Sequence, residues 1–524
     1  MNLNSHGNNM KKLKYIFLLI ACFLITGYTA ISQTKTKVDL AKLDAYFSKA
    51  LTDWNVPGMA IAIVKDDSVV LAKGYGVRNV NNPKEKVDEK TLFPIASNTK
   101  AFTAAALAML VDDGKINWDD KVIKFLPWFQ LYDPYVTNNM TIRDLLCHRS
   151  GLETFSGDLV WYGTNYTREE VIKRAKFLKP KYGFREHFGY SNIMFVTAGQ
   201  IIPVVTGKSW DDFIQEKFLT PLGMKTTNTS ISKLNLKGNV VSAHTEKDGK
   251  VIPIPFLNWD NVGPAGGINS NVTEMASWIK LQLHKGTLNE KKYFSEESCR
   301  EMWSPQTNQT VSENSVKRFP STHFKSYGLG WGLNDYLGRK IVSHSGGYDG
   351  VISYVCLVPE EKLGFVILTN CNSTLYYPLV YKILDTYLGG EEKDWSKTIL
   401  EISNSVNKSM ADQKVKDEAD RVKNTKPSLD LKSYTGLYES ELYGDASIEI
   451  IKDSLVLKLL PAPLFVGNLS HWHYDTFQIE FKNFPSLPEG LVTFTIDKNA
   501  KVEKMRIDIP NPDFDFTELD FIKK

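Results

Sequence analysis

Gly58-Met-Ala-Ile-Ala-Ile-Val64 and Ser68-Val-Val-Leu-Ala-Lys-Gly-Tyr-Gly76, joined by Lys65-Asp-Asp67, decide how this chain is read. Both runs are rich in small and β-branched apolar residues and the link is polar, so the pair reads as a β-hairpin. A charged helix precedes it over residues 39–54. From Ser97 to Asp113 the pattern turns Ala-rich and helical, and it stops at Gly114, a residue suited to the left-handed position after a helix. Helical patterns with loops continue to about Thr310. Strand periodicity then returns at residues 328–333, 340–343, 351–358 and 363–369, the last two joined by Pro359-Glu-Glu-Lys362. Strands, helices, strands is the order of an α/β (α+β) protein in which one antiparallel sheet is built from both ends, flanked by helices, with a helical region inserted in the middle.

Beyond the sheet, residues 388–426 are charged and weakly apolar and read as a linker helix ending before Pro427. Short alternating runs follow, among them Ser447-Ile-Glu-Ile-Ile451, Leu455-Val-Leu-Lys-Leu459 and Val492-Thr-Phe-Thr-Ile496. Separated by Gly, Pro and Asn, they predict a small C-terminal all-β domain, a sandwich or barrel. A length of 524 residues and 42 % hydrophobic content supply enough apolar material for a large core and this second unit.

Charge and leader narrow the setting. The net charge of +3 comes without a dense Lys/Arg stripe, which argues against nucleic acid as partner and for a small-molecule or peptide substrate. At the N-terminus Lys11, Lys12 and Lys14 precede an apolar run over residues 15–25 and then Ala30-Ile-Ser32. That is the layout of a secretory signal cleaved before Gln33, too short for a stable span, so the expectation is export to the periplasm or medium. Leu19-Ile-Ala-Cys22 offers the alternative of a lipoprotein anchored at Cys22. The remaining cysteines, Cys147, Cys299, Cys356 and Cys371, are widely spaced and form neither a disulfide framework nor a metal pair.

Serine with lysine three residues later occurs at Ser32, Ser97, Ser230, Ser277 and Ser405. On a helix these positions share a face, so the amine can reach the hydroxyl. Ser97 alone opens a long apolar helix, where unpaired N–H groups and the helix dipole stabilise an oxyanion; a plain N-cap is the competing reading. Tyr190 is the one tyrosine of 23 with Asn two residues on. Placed near the Lys100 ammonium, its phenol pKa is expected to fall, suiting it to shuttle protons, while Asn192 orients Lys100 and an amide. The third element is His344-Ser345-Gly346-Gly347, whose strand edge could pair with a substrate while the Gly347 and Ser97 N–H groups form an oxyanion hole; a Gly-Gly turn is the alternative. His471 and His473 would share one side of a strand, but no further ligand completes a metal site. His148 and His187 read as structural or loop residues.

With Ser97-Asn-Thr-Lys100, Tyr190-Ser-Asn192 and His344-Ser-Gly346 in this order, residues 40–388 resemble the serine β-lactamase and penicillin-binding-protein superfamily, in its branch of class C β-lactamases, D-alanyl-D-alanine carboxypeptidases, D-aminopeptidases and esterases. Ile142-Arg-Asp-Leu-Leu-Cys-His-Arg-Ser-Gly-Leu152, Pro221-Leu-Gly-Met224 and Ala265-Gly-Gly-Ile-Asn-Ser270 agree with it. The resemblance implies a β-lactamase/transpeptidase-like fold and an acyl-enzyme on Ser97, with Lys100 and Tyr190 handling protons. Asn192 would orient, and His344, Ser345, Gly346 and Gly347 would bind substrate or the oxyanion. It implies neither metal nor cofactor. The third motif usually begins with Lys, which meets a drug carboxylate; neutral His344 is a weaker anion clamp, which points toward a D-amino-acid peptide or ester rather than efficient β-lactam hydrolysis. A weak β-lactamase and a non-turnover penicillin-binding sensor are the alternatives. From Tyr434 on, the chain resembles the lipocalin-like domain appended to some peptidases of this branch, a candidate lid or homo-oligomer contact. The expected organisation is signal 1–32, hydrolase domain 33–388, linker helix 389–426 and C-terminal β domain 427–524.

Overall fold

The computed structural model describes residues 38–524. The expected signal, its cleavage point before Gln33 and Cys22 lie outside them. The chain falls into a unit up to Lys42, of which only 38–42 are described, and a second unit from Leu43 to Lys524; apart from the first three residues of helix α1, everything below concerns the second. Among the described residues no helix is long and apolar enough to cross a membrane.

Helix α1 (Leu40–Asp53) leads into β1 (Gly58–Lys65) and β2 (Ser68–Gly76), the expected hairpin. The other strands arrive much later: β3 (Thr307–Gln309), β4 (Lys325–Tyr327), β5 (Gly332–Tyr336), β6 (Arg339–Tyr348), β7 (Val351–Val358) and β8 (Leu363–Thr369). They form one antiparallel sheet in the order β2-β1-β8-β7-β6-β5-β4-β3. The register Met59↔Thr369, Ile61↔Ile367, Ile63↔Phe365 ties the first strand to the last.

This sheet is buried on both faces, which is why β1 and β8 are apolar throughout rather than alternating. Ala60, Ala62, Val64, Val366 and Leu368 join one core, which holds α2 (Thr99–Asp112), α3 (Asn192–Thr206) and α4 (Val272–Leu283). Met59, Ile61, Ile63, Phe365 and Ile367 join the other, under α1 and α5 (Tyr376–Leu388).

Two stretches differ from expectation. Residues 328–333 are not one strand: Gly328 to Trp331 is the turn between β4 and β5, closed by Gly328 N–H to Trp331 O at 2.8 Å, with Gly330 at φ 76°. The alternating Leu329, Trp331 and Leu333 mimic a strand because the turn itself is buried. A hairpin, Ala243–Lys247 with Lys250–Ile254, interrupts the region expected to be helical. Its turn is Asp248-Gly249, both at positive φ, the two-residue geometry that matches strand twist.

Helix α6 (Trp395–Asp420) leads to the C-terminal part and buries only Trp395, Ser396 and Ile399. There β9 (Gly436–Ser440), β10 (Gly444–Ile451), β11 (Ser454–Leu459), β12 (Val466–His473), β13 (Thr476–Glu480), β14 (Gly490–Ile496), β15 (Val502–Asp508) and β16 (Phe521–Lys523) close into a barrel. Of the two architectures the sequence allowed, the barrel is the one formed. Its Phe465, Phe484 and Phe514 belong to the same apolar core as Tyr162 and α2.

Candidate active site

Ser97 lies in a 3-10 turn (Ala96–Asn98) that runs into α2. Ala96 holds φ 45°, a left-handed conformation that costs a non-glycine residue roughly 1–2 kcal/mol. Neighbours on both sides hold it: Ile95 N–H donates to Ile268 O at 2.9 Å, Ser353 Oγ donates to Ile95 O at 2.6 Å, and Asn98 Nδ2 donates to Ser353 Oγ at 2.8 Å. The N-cap of α2 is Asn98, with no side-chain cap. Ser97 is therefore not a capping serine; its hydroxyl faces Lys100.

Lys100 is fully buried. Its Nζ lies 3.0 Å from Ser97 Oγ, 2.6 Å from Asn192 Oδ1 and 2.9 Å from Ala265 O. Burial lowers its pKa to about 7, with the nearby Asp158 charge acting in the opposite sense. An amine at that pKa is neutral in a large part of the population near neutrality. A neutral amine has two N–H donors and one lone pair; Asn192 and Ala265 supply two acceptors, which leaves the lone pair for the Ser97 hydroxyl.

Asp158 was not foreseen from sequence. Asn192 Nδ2 donates to its Oδ2 at 2.6 Å and Trp161 Nε1 to its Oδ1 at 2.9 Å. Burial raises its carboxyl well above the ordinary range, while the hydrogen bonds from Trp161 and Asn192 oppose the rise. Asn192 thus carries the link Lys100–Asn192–Asp158.

Tyr190 lines the cavity within hydrogen-bonding reach of Ser97. Contrary to expectation its phenol pKa is raised, because the desolvation of a phenolate outweighs the opposing hydrogen bond with Ser97. The Lys100 amine lies 4.8 Å from the ring centroid, but its own lowered pKa deprives Tyr190 of the full positive charge on which the expected lowering rested. His148, also unforeseen as part of the site, stacks under Tyr190 with ring centroids 4.1 Å apart and accepts the Ser191 N–H at 3.0 Å. His187 is exposed near Glu186.

The third motif runs inside β6, so the Gly-Gly turn is excluded. β5 pairs with β6 only as far as Ser343, whereas β7 pairs with it through Tyr348. From His344 onward one edge of β6 is free of the sheet, and Ser345, Gly346 and Gly347 line the cavity there. A Cβ at Gly346 would sit 2.3 Å from Ile95 O and 2.9 Å from Ser97 N, whereas one at Gly347 would meet only Ile352 Cδ1 at 3.8 Å. Gly346 is the glycine that lets β6 press against the Ser97 turn. His344 stands behind the wall. Its Nδ1 donates to Ser345 O at 2.6 Å, so Nε2 accepts the Tyr327 hydroxyl at 2.7 Å. Burial holds it neutral, with its pKa lowered to about 3. The structure does not bring its ring to the cavity surface.

The cavity measures about 820 Å³ and is also lined by Trp259, Asp349, Asn404 and, from the barrel, Leu487, Asp513 and Phe514. The four cysteines of the described residues are free and buried, and burial pushes the Cys147 thiol up to about 12. In the barrel, a strand irregularity separates His471 from His473, and His471 Nε2 is bonded to Tyr474 O at 3.0 Å.

Residues 43–380 match the sequence model of a family described as Beta-lactamase, and residues 420–523 match a domain of unknown function, DUF3471. An unguisins hydrolase of Aspergillus campestris is 32 % identical over 392 residues, 70 % of each chain. The fold is similar to an octameric penicillin-binding protein homologue from Pyrococcus abyssi, with TM-score 0.61 and 24 % identity over 93 % of this chain and 100 % of that one. It is also similar to a D-stereospecific amidohydrolase from Streptomyces sp., with TM-score 0.55 and 21 % identity over 67 % of this chain and 100 % of that one.

Proposed function

Since the chain belongs to the beta-lactamase family and is a serine hydrolase, we propose that Ser97 forms the acyl-enzyme, on a small amide or ester and preferentially on a D-amino-acid-containing peptide. The observation that carries this reading is the buried Lys100 amine 3.0 Å from Ser97 Oγ with acceptors for both its N–H groups. As Oγ attacks the carbonyl carbon, its proton passes to the Lys100 lone pair. The Ser97 and Gly347 N–H groups take the oxyanion. Tyr190, protonated because of its raised pKa, gives its proton to the leaving amine or alkoxide and takes back the one that Lys100, whose amine lies beside its ring, received from Ser97. Water then attacks the acyl carbon by the reverse path and releases the acid.

The cavity's charges favour one substrate class. Among the described residues that line it are Asp158, Glu246, Asp349 and Asp513, and no lysine or arginine. A substrate with a free amine meets complementary charge, while a carboxylate, the anchor of β-lactams and of carboxypeptidase substrates, finds no cation among them. A relative named as an unguisins hydrolase supports a hydrolytic reaction.

Purified protein assayed against D-amino-acid anilides, short-chain esters and a chromogenic cephalosporin tests the reading. Wild type is expected to turn over the first two and to be labelled by a fluorophosphonate, and Ser97→Ala to do neither. Labelling of Ser97→Ala would overturn the nucleophile, and preference for the cephalosporin the substrate class.

A further inference from the structure

The barrel is docked against the site, not tethered beside it. Tyr162 lies among Phe465, Phe484 and Phe514, stacked on Phe514 with centroids 3.9 Å apart. Polar contacts surround this core: Tyr166 Oη donates to Tyr443 O at 2.6 Å, Asn165 N–H to Pro461 O at 2.9 Å, and Arg174 to Leu442 O at 2.9 Å. With so many directional contacts the barrel's loops have a defined place relative to Ser97.

One of these contacts reaches the catalytic machinery. Glu518, in the 3-10 turn Phe516–Glu518, accepts the Ser156 hydroxyl at 2.5 Å and the Gly157 N–H at 2.7 Å. Gly157 holds φ 78°, and a Cβ there would lie 2.5 Å from Leu178 Cδ1, so this tight turn has little alternative packing. The next residue is Asp158, which Asn192 joins to Lys100. Two residues of chain and one amide therefore separate a barrel carboxylate from the amine that serves Ser97. Four residues upstream of Glu518, Phe514 lines the cavity itself, as do Asp513 and Leu487.

We infer that the C-terminal barrel completes the catalytic centre: Leu487, Asp513 and Phe514 form the wall that selects substrates by size, and Glu518 is a positioning residue that holds the turn carrying Asp158. The inference rests on the assignment of Ser97 and Lys100 above, and it gives the domain of unknown function a role. A substrate entering the cavity meets the barrel on one side and the free edge of β6 on the other. Filling or emptying a hydrophobic pocket of this kind changes selectivity by about tenfold or more.

Full-length variants test both halves. The wall is read as the ratio of kcat/KM for an arylacyl to an acetyl ester of 4-nitrophenol. Phe514→Ala is expected to raise it about tenfold and Asp513→Trp to lower it as much, the scale of one altered pocket. Asp513 is exposed, so its replacement leaves the barrel core alone should Phe514→Ala fail to fold.

Glu518→Gln keeps the shape and removes a charge that disfavours ionisation of Asp158. Asp158 then ionises more readily, which favours protonated Lys100, so the acidic limb of kcat for the acetyl ester is expected to move to higher pH. Glu153 and Asp515 also face Glu518, while neutral His148 and His344 and the phenol of Tyr190 surround Lys100; none of them is altered. A merely structural role for Glu518 would change melting temperature without moving that limb. A wild-type size ratio in the wall variants, or an unmoved limb in Glu518→Gln, overturns the inference. Fluorophosphonate labelling of Ser97→Ala would instead overturn the assignment on which it rests.

Discussion

Lys100 and Asp158 are joined through a single amide: Asn192 Oδ1 lies 2.6 Å from the lysine Nζ and its Nδ2 donates to the carboxylate at 2.6 Å. Burial acts on both ends, pulling the amine down and pushing the acid up. Both shifts suit the proton transfer from Ser97 to Lys100 proposed above, because they bring the amine near the point at which taking a proton costs little. Asn192 is the part that fixes orientation, since its amide cannot rotate without exchanging a donor for an acceptor at both ends.

Asn192→Leu, similar in volume, deprives Lys100 of an acceptor and leaves Asp158 one hydrogen bond short. The amine loses its orientation toward Ser97 Oγ, and kcat is expected to fall by about 10²-fold or more, the range for a displaced general base. KM for a small ester should change far less. Steady-state kinetics separates the two; a rise in KM with unchanged kcat would show that Asn192 binds substrate instead.

The acidic limb of kcat/KM is expected to belong to Lys100. Its lone pair is available only when the amine is neutral, so activity falls as pH drops through about 7. His344 cannot supply this limb, because burial lowers its pKa to about 3 and both ring nitrogens are bonded within the protein. In His344→Gln the limb is expected to stay in place, with kcat/KM reduced less than about tenfold, the loss of about one hydrogen bond. A pH profile that lost the limb in this variant would assign it to the histidine.

What could be read in advance follows from how local each feature is. β1 and β8 show as continuous apolar runs because both of their faces are buried, and Ser97 with Lys100 because one helical turn brings them together. Asp158 is a lone acid in a loop; its meaning comes from packing that brings Asn192 to it, 34 residues on. Tyr190 stands out by its motif, but the sign of its pKa shift is set by the burial of its own phenol, a property of the assembled core. Residues 328–333 misled because a buried turn and a strand share the same alternation.

Gly346 and Gly347 separate sterics from chemistry. Gly346→Ala places a methyl 2.3 Å from Ile95 O and 2.9 Å from Ser97 N, so the Ser97 turn or β6 must shift. Expected are a lower melting temperature, by the roughly 1–3 kcal/mol of an overpacked core, and loss of fluorophosphonate labelling. Gly347→Ala has room and should keep the wild-type melting temperature. Thermal melts of both variants, read beside labelling rates, check this; equal destabilisation would contradict the geometry.

Asp349 follows β6 directly, accepts the Tyr162 hydroxyl and lines the cavity together with Asp513 from the barrel. Burial raises its pKa to about 6, and the Asp513 carboxylate adds to the rise. A raised carboxyl is neutral below that value and charged above it, so an ammonium group gains its partner only as pH rises through about 6. KM for a substrate with a free amine is therefore expected to fall across that range, while KM for its N-acetylated counterpart stays level. Asp349→Asn should raise KM for the amine about tenfold, near the lower end for a hydrogen bond to a charged group, and abolish the difference in pH dependence. Tyr162 keeps an acceptor in the amide oxygen, so the stacking on Phe514 persists and the change reports charge. Parallel pH dependence for the two substrates in wild type would show that the acidic lining does not read the amine, and would turn the search toward neutral esters.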